Sequence, residues 1–134
     1  MLYAHGADVG IRGEGATPAE AFAAAAGALT AAVCEPAAVA ARERVTIRCE
    51  AADVEELFYE WINALVFEMT TRRMLFARFD VHIEGTRLEA DAWGERIDVA
   101  RHQPAAEVKG ATYTDLRVSQ SGPGRWLAQC VVDV

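Results

Sequence analysis

Residues 53–70 read DVEELFYEWINALVFEMT and residues 74–95 read MLFARFDVHIEGTRLEADAWGE. The first stretch has helical spacing. Asp53 stands as its cap, Glu56 closes a capping box, and Val54, Leu57, Phe58, Trp61, Ile62, Leu65 and Met69 share one apolar stripe. The second stretch alternates with a period of two on either side of Gly85–Thr86, which predicts a hairpin closed by a Gly-first tight turn. A helix leading straight into a hairpin points to helices laid on a largely antiparallel sheet rather than to a run of alternating strand–helix units.

Upstream, Val45, Ile47 and Cys49 alternate in RVTIRCE and predict a strand over 44–50. Thr17 as cap, Pro18 at the first helical position and Glu20 three residues after the cap start another helix. Its stripe is Phe22, Ala25, Ala26, Leu29 and Val33, and the alanines predict a helix lying close against a sheet. Residues 2–13 read as one strand weakened by glycine. Downstream, residues 97–110 read as irregular, with Pro104 as a breaker. Two strands are expected near 111–118 and 125–133, flanking SQSGPGR. The expected architecture is an α+β two-layer sandwich: a mixed, mostly antiparallel sheet of about six strands with two helices on one face. Residues 1–134 are expected to form a single domain and a monomer.

Net charge is −7, with 20 acidic residues against 13 lysines and arginines. That argues against an extended contact with a nucleic-acid backbone, which is bound by neutralising its phosphates. It suits a basic partner or a cation. No apolar run reaches membrane-spanning length and no leader pattern opens the chain, so no membrane association and a cytoplasmic location are expected. Three cysteines without CxxC spacing predict reduced buried thiols rather than disulfides or zinc. Lys109 is the only lysine, and a compact ammonium is not interchangeable with a guanidinium.

Most candidate chemistry falls away. Gly10, Gly13 and Gly15 run GxxGxG, not a nucleotide fingerprint, and predict a plain turn with positive φ angles. There is no GxSxG, and His5, His82 and His102 form no metal-binding pair on a helix. His82 reads as the polar side of a strand, and Glu56 and Glu60 as a solvated acidic face. Asp8, inside HGADVGIRGEG, and Asp133, next to the final Val134, remain. On their own, a turn aspartate and a terminal one are usually surface groups. With the main-chain carboxylate of Val134, they would offer three hard oxygen donors suited to Ca²⁺ or Mg²⁺ if the first and last strands lie side by side.

HGADVGIRGEG, TPAEAF, DVEELFYEWINALVF, EVKGATYTDLRV and WLAQCVVDV, in that order, resemble the archease family from end to end. The family pattern is roughly H-T-A-D-x-G, then D-L-E-E-L-L-x-x-W-L-N-x-L, then E-x-K-A-x-T-Y-H, then Asp followed by an aliphatic terminus. The resemblance implies an accessory protein, not an enzyme, that activates an RtcB-type RNA ligase in tRNA splicing or RNA repair. It would promote guanylylation of the ligase and repeated turnover. An alternative family role is a chaperone for a tRNA cytosine-5 methyltransferase. A rival of another class is a small metal-dependent phosphoester hydrolase built on the same carboxylates.

The family metal site falls on Asp8, Asp133 and Val134, with Ca²⁺ expected first and Mg²⁺ or Mn²⁺ as alternatives. The family's activity-linked lysine falls on Lys109, and His5 and His102 are candidates to support the ligands from outside. Gly6, Gly110 and Thr114 depart from the family's threonine, alanine and histidine.

Overall fold

The computed structural model describes residues 1–134. Its elements in chain order are β1 (Leu2–His5), β2 (Asp8–Gly15), α1 (Pro18–Val33), β3 (Glu43–Glu50), α2 (Val54–Arg72), β4 (Met74–Glu84), β5 (Arg87–Arg96), α3 (Val99–His102), β6 (Gly110–Ala111), β7 (Arg117–Gly122) and β8 (Arg125–Asp133). The class is α+β, as expected. Its eight strands divide into two sheets, and every pairing is antiparallel. One sheet runs β1-β2-β8, with β6 and β7 sharing the far edge of β8. The other runs β3-β5-β4.

Both helices start where their caps predict. The Thr17 side chain accepts from the Glu20 N–H, and the Asp53 carboxylate from the Glu56 N–H at 2.8 Å. The stripe Phe22, Ala25, Ala26, Leu29 and Val33 is buried, as are Leu57, Phe58, Trp61, Ile62 and Leu65. Helix α1 lies across β2 of one sheet and β4 of the other. The Thr30 hydroxyl ties it to the second sheet by donating to the Phe76 carbonyl at 2.6 Å. The Trp61 indole N–H ties α2 to α1 through the Phe22 carbonyl at 3.1 Å. The buried apolar side chains of both helices and both sheets form one continuous cluster.

The structure corrects four local expectations. Residues 2–13 are two strands, folded back at Gly6, whose φ of +61° suits a tight turn. Gly10, Gly13 and Gly15 lie inside β2 with no positive φ. They are small because the Tyr3 ring covers Gly10 and the α1 backbone sits against Gly13 and Gly15. The stretch 97–110 contains α3, capped by Asp98. The expected strand at 111–118 is broken into β6 and β7, and the loop after it shrinks to Pro123–Gly124, with Gly124 at φ +63°.

All three cysteines are free. Burial pushes the Cys130 thiol up to about 12 and that of half-buried Cys49 up to about 11, so both stay protonated near neutrality. No helix is long and apolar enough to cross a membrane.

Candidate metal centre

One end of the five-stranded sheet gathers the residues singled out above. His5 and Asp8 are cross-strand partners in the β1–β2 hairpin. Val9 pairs with Val132, so one further step in the same register sets Asp8 opposite Asp133. Asp133 in turn pairs with Gly110, and the Lys109 N–H donates to the Asp133 carbonyl at 2.7 Å. Four strand ends thus meet in a row, and the last two residues of the chain lie beside the first hairpin.

Strand alternation fixes which way these groups face. Asp8 and Asp133 lie on the face opposite Val132, where Asp133 is exposed and Asp8 half-buried. Like charges at neighbouring strand ends repel when nothing neutralises them. Neither carboxylate forms an ion pair or accepts a side-chain hydrogen bond, although Glu50, Glu68, Glu89 and Glu95 each meet an arginine. A pair of opposed, unneutralised carboxylates is the arrangement that a cation relieves.

No group of three His, Cys, Asp or Glu side chains comes together so as to hold a metal. The third donor expected from the sequence is the main-chain carboxylate of Val134, beside Asp133. The oxygen-only set fits a hard cation such as Ca²⁺, which accepts six to eight oxygens and would fill its remaining positions with water or a partner's oxygens. The row lines none of the molecule's clefts. It is an open edge, with Lys109 exposed beside it and free of any ion pair.

The two histidines part company. His5 sits next to Asp8 and reaches 3.9 Å from the Asp115 carboxylate. His102 is buried in a separate cluster. Its Nδ1 accepts from the Asp98 N–H at 2.9 Å, so Nε2 carries the proton and donates to Glu95 at 3.0 Å. Both ring nitrogens are committed, and neither points to Asp8. Glu95 also accepts from the Arg101 guanidinium at 2.6 Å and the Ala40 N–H at 2.7 Å. The Arg101 bond foremost, then those of Ala40 and His102, hold its carboxyl far below the usual carboxylate range.

A depressed carboxyl stabilises the fold above the unfolded-state value near 4.5 and loses that contribution as pH falls toward the folded-state value. Glu95→Gln should accordingly be less stable than the parent at pH 7. The two urea midpoints should converge between pH 5 and pH 2. A constant gap across that range would mean Glu95 acts by shape alone.

Other contributors were not visible in the sequence. Asn63, on α2, accepts the Ala111 N–H at 2.9 Å and so holds β6, which Lys109 directly precedes. The one signal available was an amide inside the apolar run WINALV. Asp115 adopts φ +55° and accepts from the Tyr3 hydroxyl at 3.4 Å. Tyr113 donates to Glu56 at 2.9 Å, and that bond, with partial loss of solvent and the nearby charge, pushes its hydroxyl up to about 12.

The family model of the Archease protein family matches residues 2–134. This chain belongs to that family. Among similar proteins, the archease of Pyrococcus abyssi is 38% identical, over 98% of this chain and 96% of its own. That of Methanopyrus kandleri is 35% identical, over 97% and 95%. The solution structure of Methanobacterium thermoautotrophicum Protein 1598 is similar with a TM-score of 0.86 and 27% identity, over 99% of this chain and 96% of that one.

In this archease, two of the departures from the family pattern have local reasons. Gly6 takes the positive φ of the first turn. A Cβ on Gly110 would stand 3.0 Å from the Asn63 Oδ1, so glycine relieves a tight approach to α2.

Proposed function

We propose that this archease is an accessory protein that activates an RtcB-type RNA ligase, presenting the Asp8–Asp133–Val134 edge and Lys109 to the ligase near its active site. What supports the reading is that Asp8 and Asp133, one step beyond the Val9–Val132 pair, stand at adjoining strand ends with no ion-pair partner and with exposed Lys109 beside Asp133. An enclosed, water-excluding pocket would favour the hydrolase alternative, and the edge is not enclosed. Bound there, Ca²⁺ would supply a positive centre with positions open to phosphate or carboxylate oxygens.

The chain's own residues have separable tasks in this reading. Asp8 and Asp133 hold the cation, His5 borders them, and Asn63 fixes β6, just before which Lys109 extends an ammonium toward a phosphate or carboxylate of the partner complex. Net negative charge steers the protein toward a basic surface and away from bare RNA.

The test combines purified ligase, GTP, a divalent metal and an RNA with ligatable ends, with and without this protein. The expected result is more guanylylated ligase and many joined products per ligase, with Lys109→Ala losing most of the gain while keeping its fold. Ligation unaffected by the protein would sink the reading. Release of phosphate from a phosphoester by the protein alone would favour the hydrolase.

A further inference from the structure

The outer ridge of α2 carries Glu55, Tyr59 and Asn63 at four-residue spacing, and the chain from β6 to β7 is fastened along it. Asn63 takes the Ala111 N–H at 2.9 Å, and Glu55 takes the Val118 N–H at 3.1 Å. Between these anchors, the Tyr113 ring stacks on Tyr59 with centroids 4.3 Å apart and planes 11° from parallel. Its hydroxyl is fixed by Glu56. Tyr113 is thus clamped by a ring on one face and a carboxylate at its tip, yet it remains 60% exposed. A rigid aromatic ring offered to solvent has little rotamer freedom left to lose on binding, which is what interface anchors share.

Two other aromatic rings of this chain are each covered by its own arginine. Arg12 lies over Tyr3 at 5.2 Å from the centroid and Arg78 over Trp93 at 4.4 Å. No cation of the chain covers the Tyr59–Tyr113 stack, and the groups acting on the Tyr113 hydroxyl are Glu56 and Tyr59. The free face is therefore an electron-rich ring beside a carboxylate, with one oxygen of Glu56 taken by Tyr113 and the other without a partner. A flat cation with several N–H donors complements that pairing, and guanidinium fits it better than ammonium. A nucleobase could stack on the same ring, but its phosphates would lie against Glu55 and Glu56.

We infer that the Tyr59–Tyr113 stack with Glu56 is a docking site for an arginine side chain on a protein partner. The guanidinium lies over the outer face of Tyr113 and donates to the free oxygen of Glu56. The docking uses none of the expected metal ligands and does not depend on the identity of the ligase.

The full chain, in EDTA so that the metal edge plays no part, is titrated with a capped Gly-Arg-Arg-Gly peptide while backbone amide shifts are followed. The same titration is run with citrulline replacing arginine and with a short oligouridylate. Shifts should centre on residues 55–63 and 111–116, with the citrulline peptide at least about five-fold weaker. Tyr113→Leu should weaken the arginine peptide by about five-fold, and Glu56→Gln should weaken it with the ring stack left in place. The Glu56 variant carries the test if Tyr113→Leu perturbs the fold. The inference is overturned by no shift at saturating peptide, by shifts centred elsewhere, by equal binding to the variants, or by preference for the oligouridylate.

Discussion

A chain carrying both Asp8→Asn and Asp133→Asn should be slightly more stable than the parent without metal, and blind to calcium. The sign of the first effect follows from the register, which sets two unneutralised carboxylates across from each other. Removing such a like-charge pair is worth about 0.2–1 kcal/mol. The second effect is larger. Calcium at a hundredfold above its Kd would add about 2.7 kcal/mol to the parent, raising a domain of this size by roughly 10 °C in Tm. Calorimetry with EDTA and with millimolar calcium reads both. Extending the chain past Val134 turns the third donor into an amide and should weaken calcium binding about tenfold, given how strongly affinity follows ligand charge. A parent midpoint indifferent to calcium, or equal affinity in the extended chain, would remove the corresponding ligands.

Gly13→Ala should cost about 3 kcal/mol or more, an unusual loss for a single methyl group. The added Cβ would sit 2.2 Å from both the Ala21 carbonyl oxygen and the Ala25 nitrogen. Both are backbone atoms of α1, so no side chain can swing aside and the helix must shift bodily against both sheets. Gly27, on the same helix, supplies the control, because a Cβ there meets nothing within 4 Å. Gly27→Ala should stabilise by about 0.5–1 kcal/mol through helix propensity. Urea unfolding of the two variants, with unchanged m-values, should shift in opposite directions. A mild effect at Gly13 would mean that α1 does not press on β2 as described.

The contrast between these glycines also shows where sequence reasoning stops. The caps at Thr17 and Asp53 and the apolar stripes behind them were legible because their causes lie within a few residues. The alanines of α1 predicted a close approach, but the partner of that approach, Gly13, read as a turn residue. Extended and positive-φ glycines look alike on paper. The split of the strands into two sheets was equally hidden, since nothing local says that β2 pairs with β8 and β3 with β5. The break between β6 and β7 comes from Val131, which takes the Thr112 N–H on its carbonyl and gives its own N–H to Thr114.

The candidate edge was half legible. Asp8 and Asp133 stood out by position, and the likeness to archeases singled them out further. The sheet register is what sets them opposite each other. The Tyr59–Tyr113 stack joins residues far apart in sequence whose individual surroundings look ordinary. Glu95 and His102 are only seven residues apart, but what unites them is burial beneath Ala40 and Arg101, which no spacing rule reports.

The placement of β8 bears on how the molecule is made. It leaves the ribosome after every other strand of the two sheets, yet it fills the middle of its own, bonded to β2 on one side and to β6 and β7 on the other. Until it emerges, β2 has only β1 to pair with, and a lone two-stranded ribbon is barely stable in water. The sheet therefore closes only once translation has run through to Asp133. A prematurely terminated copy would leave β2 without its neighbour and could not bring Asp133 beside the first hairpin.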